Sequence, residues 1–130
     1  AGVALLSALG CVGALCFGTE TRRLEDIAQT AALLESDNPP DAIFAASDLE
    51  ALGALRAIHE RSLRIPEDIA VITFDGTVES LYAWPQLTAI QQNTAELARC
   101  AVNAALDPAH TPDVQLIAAE LVTRQSCGCK

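Results

Sequence analysis

Apolar residues in this chain fall into short runs that alternate between helical and extended spacing. Leu24, Ile27, Ala28, Ala31 and Leu34 recur at helical intervals and predict an amphipathic helix, which Asn38-Pro39-Pro40 stops. Ala42-Ile43-Phe44-Ala45-Ala46 is wholly apolar and of strand length. Leu49, Leu52, Leu55 and Ile58 then line one face of a helix ending near Leu63, and Pro66-Glu67-Asp68 reads as a turn. Ile69-Ala70-Val71-Ile72-Thr73-Phe74 is the clearest strand. Its two-sided, β-branched hydrophobicity suits a central strand covered on both faces. Residues 75–86, broken by Pro85, read as a loop before a short strand at 87–91. Asn93 and Glu96 bracket a helix start, and Leu97, Ala101 and Ala104 carry that helix to residue 106. Pro108 and Pro112 mark a loop, and 115–125 forms a final extended segment. At the front, 3–9 reads as a short apolar helix ending at Gly10, with a strand over 12–17. The alternation predicts an α/β fold with a parallel sheet and crossover helices.

The chain has 130 residues, enough for one domain, or a large part of one, with a real core. Apolar residues make up 51% and charged residues 19%, which excludes a disordered chain. Aromatics are only 4%, so the core is built from aliphatic side chains. The net charge is −9, and the nearest approach to a basic cluster is Arg22-Arg23, followed at once by Glu25 and Asp26. Phosphate-backbone binding needs clustered cations, so direct nucleic-acid contact by these residues is not expected.

The stretch from Ala1 to Gly18 carries no charge. No basic region precedes it, Gly10 and Gly13 interrupt it, and its length is minimal for a membrane span, so a buried helix and strand are expected instead. Of five cysteines, Cys11, Cys16 and Cys100 sit in apolar runs and behave as small hydrophobes. Cys127 and Cys129 form a Cys-Gly-Cys tail that lacks the second ligand pair of a zinc site. All five are expected to be reduced thiols, and no metal or cofactor is expected.

Catalytic sets are equally absent from the pattern. His59 lies mid-helix between Arg56 and Arg61, and His110 lies in the proline-rich loop, neither beside a serine or cysteine in a recognisable nucleophile signature. The glycines form neither a phosphate-cradling loop nor a dinucleotide fingerprint. An enzyme is not expected. The informative positions are strand ends, because ligands of open α/β sheets bind beyond the carboxyl ends of the strands. Ala45-Ala46 runs into Ser47-Asp48, and Thr73-Phe74 runs into Asp75, with Gly76 and Thr77 letting the backbone turn away. A carboxylate there can accept hydroxyl hydrogens from a sugar-like ligand. Ser47 with Glu50 also fits a capping box, so Ser47 can serve as a helix cap, a ligand contact or both. Asp75 can equally cap the turn at 77–82.

The segment PDAIFAASDLEALGALRAIHERSLRIPEDIAVITFDGT resembles the C-terminal part of the LacI/GalR effector-binding domain. That pattern is an apolar strand, A-N-D-x-x-A-L-G, a helix, an R-[IV]-P-x-D-[IV] turn and a strand ending F-D-D. WPQLTAIQQNTAELARCAV resembles the strand and helix that follow it in the family, and ELVTRQSCGC its usual ending. The likeness runs over 39–127 with little or no gap and is weaker over 1–38.

The resemblance implies a parallel-sheet, three-layer subdomain of a periplasmic-binding-protein-like (type I) fold, incomplete in this chain. Residues 1–130 would be the C-terminal portion of the effector-binding domain, with helix 94–106 belonging to the other subdomain and the DNA-binding head lying outside the chain. Asp75 falls on the effector-contacting aspartate, and Ser47 on a position where an asparagine usually touches the ligand. Thr21 falls near a position that often holds a stacking aromatic, and Gly76 replaces the second aspartate of F-D-D. The effector-binding arginine would lie just before Ala1. Leu52, with Leu49 and Arg56 on the same helix, falls at the family's dimer contact.

The function so implied is allosteric: a sugar, nucleoside-like or other small metabolite in a cleft controls DNA binding by a cytoplasmic homodimer, with no membrane partner. Alternatives are an exported sugar receptor of the same fold, a sensor module fused to a different output, and a hydrolase using Cys127. Because a cleft needs two walls, the chain alone is expected to bind effector weakly and to dock its apolar surface on a second copy.

Overall fold

The computed structural model describes residues 3–6 and 22–129, with side chains from 27 to 129. Its organising element is a five-stranded sheet: β1 (Val3–Leu6), β2 (Ala42–Ala45), β3 (Ala70–Asp75), β4 (Thr88–Gln91) and β5 (Glu120–Val122), in that spatial order. The first four strands run parallel and β5 returns antiparallel to β4, with Ala89 opposite Val122. Helix α1 (Arg22–Leu34) precedes β2, and α2 (Asp48–Glu60) crosses from β2 to β3. A short α3 (Val78–Tyr82) precedes β4, and α4 (Thr94–Leu106) follows it.

The alternation of buried and half-buried residues along the strands shows where the core lies. Ile43 and Ala45 of β2 and Val71 and Thr73 of β3 are fully buried toward α2, while Phe44, Ile72 and Phe74 face the other way and are half-buried. Helix α2 sits close to the sheet because its inward face is small. Ala51, Gly53, Ala54 and Ala57 are buried, leaving Leu55 and Ile58 to fill the space around Ile43, Ile69, Val71 and Leu87. As the composition required, this core is aliphatic. Helix α1 packs beside α2, joined at its end by an ion pair between Arg61 and Glu35. A second helical layer, over the Phe44 and Phe74 face, is not among the described residues.

The strands at 42–46, 69–74 and 87–91 and the helices at 24–34 and 94–106 stand within a few residues of their expected bounds. Other expectations are corrected. Val3–Leu6 is a strand paired in parallel with β2, not the start of a helix over 3–9. A short apolar run has no periodicity to separate the two, and the free parallel edge of β2 accepts it. The expected strand at 12–17 lies outside the described residues. Helix α2 stops at Glu60, because Ser62 turns through a left-handed φ of 58°. The loop at 75–86 contains α3, and of the extended segment 115–125 only Glu120–Val122 joins the sheet.

Candidate functional site

Parallel pairing of β2 and β3, with Ala45 opposite Thr73, brings the carboxyl ends of both strands side by side. Beyond β2 the chain enters α2 through Ser47, an extended N-cap whose hydroxyl accepts the Glu50 N–H at 3.3 Å. Glu50 reaches back to the Ala46 N–H at 3.1 Å, one residue earlier than in the usual reciprocal box. The cap is therefore real, and the Ser47 hydroxyl hydrogen is still available to donate to a ligand.

Asp48 follows and is 2% exposed. Its Oδ2 accepts the Thr77 N–H at 2.5 Å and the Thr77 hydroxyl at 2.6 Å, which ties the first turn of α2 to the start of α3. Its Oδ1 is buried and without a hydrogen-bond partner among the described residues.

Asp75 ends β3 in a left-handed conformation, φ 104°, and is half-buried. Gln92, just past β4, holds it from two directions: the side-chain amide donates to Asp75 Oδ1 at 2.7 Å and the Gln92 N–H donates to the Asp75 carbonyl at 3.1 Å. Burial raises the Asp75 pKa above the ordinary aspartate value and the neighbouring Asp48 charge adds to this, against the lowering effect of the Gln92 hydrogen bond. The carboxylate keeps acceptor capacity beyond Gln92, as a hydroxyl-rich ligand would require. Gly76 is forced: its φ is 68°, and a Cβ there would lie 2.6 Å from the Cβ of Gln91. Any side chain added at 76 on this backbone would meet the same obstacle.

Ser47 and Asp75 thus stand beyond the carboxyl ends of two adjacent strands, at the same end of the sheet. Asp48 and Gln92, which the sequence pattern does not distinguish, respectively tie the first turn of α2 to Thr77 and hold the Asp75 carboxylate. Thr21 lies outside the described residues. A cavity of about 470 Å³ lined by Gln91–Ala95 and Ala118–Glu120 adjoins Gln92, as does a smaller one of about 130 Å³ that includes Phe74, Leu97 and Ile117. Neither is lined by Ser47 or Asp75.

On the outer side of α2, Leu49 and Arg56 are exposed and Leu52 is half-buried against the core. Arg56 donates to Glu60 at 2.5 Å. His59 is exposed at the end of α2, and His110 meets Asp107, at 2.8 Å, on the surface. Among the described residues no group of three or more histidine, cysteine or acidic side chains could hold a metal, and no helix is long and apolar enough to cross a membrane.

Residues 7–127 match the family described as the periplasmic binding protein-like domain. The HTH-type transcriptional repressor MelR of Bacillus subtilis (strain 168) is 36% identical over 99 residues, which are 74% of this chain and 29% of that protein. The HTH-type transcriptional repressor PurR of Haemophilus influenzae (strain PittEE) is 41% identical over 75 residues, 58% of this chain and 22% of the repressor. The chain therefore spans less than a third of the length of these relatives. Among solved structures, a LacI family transcriptional regulator from Arthrobacter sp. FB24, in complex with lactose, matches with a TM-score of 0.75 and 28% identity. That match covers 97% of this chain and 56% of the regulator.

Proposed function

Since this chain belongs to the periplasmic binding protein-like domain family, in the form carried by LacI/GalR-type regulators, we propose that it is the effector-binding portion of a transcription regulator. Its ligand is a hydroxyl-rich small molecule, a sugar or nucleoside-like metabolite, held at the carboxyl ends of β2, β3 and β4. The observation that carries this is the convergence of Ser47 and Asp75, with Gln92 orienting the carboxylate, at the strand ends where open α/β sheets place ligands. Asp75 accepts ligand hydroxyls in charge-assisted bonds and Ser47 donates; Thr21 is placed in the same site by resemblance alone. The regulator bound to lactose makes a saccharide the first class to test.

Control is allosteric. The effector favours one arrangement of the two subdomains around the cleft, and coupling is limited by its difference in affinity between those arrangements. Helix α4, with no buried residue, is an element of the other subdomain, and DNA is contacted through a head beyond this chain. The regulator works as a cytoplasmic homodimer without catalysis, with Leu49, Leu52 and Arg56 of α2 at the subunit contact. Replacing Leu52 with aspartate is expected to lower the mass measured by light scattering; an unchanged mass removes the contact.

The effector site is tested by amide NMR titration with lactose, glucose and a purine nucleoside at millimolar concentration, a range that detects one-walled binding. Shifts are expected at Ser47, Asp75, Gly76 and Gln92 with at least one compound, and are expected to vanish in Asp75→Asn. Shifts confined elsewhere, or surviving that substitution, would refute the site.

A further inference from the structure

At the opposite end of the sheet from Asp75, the sequence Ser126-Cys127-Gly128-Cys129 is anchored rather than loose. Ser126 is fully buried: its hydroxyl donates to the Val71 carbonyl at 2.6 Å and accepts the Thr88 N–H at 2.9 Å. Its backbone bonds to both sides, with the Ser126 N–H on the Gln86 carbonyl and the Val71 N–H on the Ser126 carbonyl. The next residue is therefore held at the surface in a defined orientation. Gly128 turns the chain through φ 69°, and the Cys129 N–H then points back at the Cys127 sulfur, 3.2 Å away. The Cys129 thiol approaches the Cys127 carbonyl at 3.9 Å. Cys127 is half-buried, Cys129 is exposed, and both are free thiols.

We propose that Cys127 and Cys129 form a reactive dithiol that exchanges with low-molecular-weight disulfides, Cys127 attacking and Cys129 resolving. An N–H directed at sulfur stabilises the thiolate, which is the nucleophile in exchange. Burial opposes ionisation of Cys127, but hydrogen bonds from Cys129 and Thr88 outweigh it and bring its pKa below the ordinary thiol value; Cys129 is displaced upward by its bond to Cys127. The Cys129 N–H aimed at the Cys127 sulfur makes Cys127 the attacking thiol, and the neighbouring Cys129 is left to resolve. The Cys127 thiolate attacks one sulfur of a disulfide such as glutathione disulfide; that S–S bond breaks, and one glutathione leaves as thiolate and takes up a proton. Cys129 then gives its proton to solvent and attacks the Cys127 sulfur, expelling the second glutathione. Two cysteine thiols are oxidised to one disulfide while glutathione disulfide is reduced to two thiols. A ring closed across one intervening residue is small and strained, which keeps the product easily reduced. Nothing in this inference depends on the effector site.

The test is exposure of the protein to glutathione disulfide at neutral pH, followed by alkylation, trypsin and mass spectrometry. Cleavage after Arg124 isolates Cys127 and Cys129 in one peptide, with Cys100 as an internal reference on α4. The tail peptide is expected to lose two hydrogens several-fold faster than Cys100 gains an adduct. Cys129→Ser keeps the supporting backbone N–H and should trap a lasting glutathione adduct on Cys127 at close to the wild-type rate. Cys127→Ser should slow the tail to the rate of Cys100. A wild-type tail no faster than Cys100, a Cys129→Ser protein without a retained adduct, or a Cys127→Ser tail as fast as wild type would each overturn the proposal.

Discussion

Helices α2 and α4 are locally twins. Each has 13 residues, and each is capped by a polar side chain that accepts the N–H three residues on: Ser47 from Glu50, Asn93 from Glu96. Each carries an internal Arg–Glu ion pair. Yet eight residues of α2 are buried and none of α4 is. Caps and i,i+3 or i,i+4 pairs decide that a helix forms, at a few tenths to about 2 kcal/mol apiece; whether it stabilises a fold depends on what lies opposite. Opposite α2 stand Ile43, Val71 and Ile69. Leu97, Val102 and Leu106 of α4 remain 41%, 56% and 79% exposed.

The contrast predicts its own largest test. Ile58→Ala removes fully buried methyl groups from the α2 interface and should cost about 2–5 kcal/mol in urea unfolding. Leu97→Ala should cost about 0.5 kcal/mol or less. Comparable losses would mean that α4 is buried in solution, against another copy of the chain.

Next in size is the glycine turn at the site. Gly76→Ala sets a Cβ against Gln91 at a left-handed φ, and should destabilise by more than about 1 kcal/mol. It should also broaden the Asp75 and Gln92 amide resonances. A neutral result would mean that the β3–β4 junction relaxes freely and does not hold the site.

The caps sharpen the comparison further. Ser47→Ala and Asn93→Ala remove equivalent hydrogen bonds, each of about 0.5–2 kcal/mol to its helix. Only the first is expected to move the global unfolding midpoint, because α2 is part of the cooperative core. Loss of the second should appear as reduced helicity and faster hydrogen exchange within α4 alone. Equal shifts in midpoint would break the distinction between the two helices.

The same split separates what the sequence disclosed from what it withheld. Helices α1, α2 and α4 were legible because periodicity and caps are local, and β2 and β3 because an apolar run between turn residues leaves few alternatives. Helix α3 was not: Val78-Glu79-Ser80-Leu81-Tyr82 buries only Ser80, so it has no amphipathic stripe to read. Val3–Leu6 failed for the converse reason, being apolar throughout. At the site, Ser47 and Asp75 stood out as polar residues ending apolar strands. Gln92 did not, because its role follows from a register that sets Asp75 opposite Gln91, a long-range fact. Asp48 is not legible because a buried carboxylate at a helix start looks, in sequence, like a solvated one.

The smallest predicted effect is one of sign. Asp75, beside the start of α2, has its pKa raised, first by burial; Glu96, in the first turn of α4, has its pKa lowered, first by its hydrogen bond from Arg99, with burial opposing. Each group obeys the same linkage rule with opposite outcome. A raised folded pKa means the native state holds a proton that the unfolded chain has already released. Asp75 therefore weakens folding as pH rises from the ordinary carboxylate range through its folded pKa, and the penalty persists above it. A lowered folded pKa means the reverse, so the contribution of Glu96 is present above the ordinary range and is lost as pH falls through its folded pKa. Carboxyl NMR titration should place the Asp75 midpoint above that of a free aspartate and the Glu96 midpoint below that of a free glutamate. In stability against pH, Asp75→Asn should remove a decline on the alkaline side of the carboxylate range, and Glu96→Gln should remove part of the loss on its acid side. Salt should blunt the effect at Glu96, a solvent-facing pair, more than at half-buried Asp75. If the Asp75 midpoint did not lie above that of a free aspartate, Asp75 would be no more desolvated than a surface acid, and its assignment to a partly closed site would be wrong.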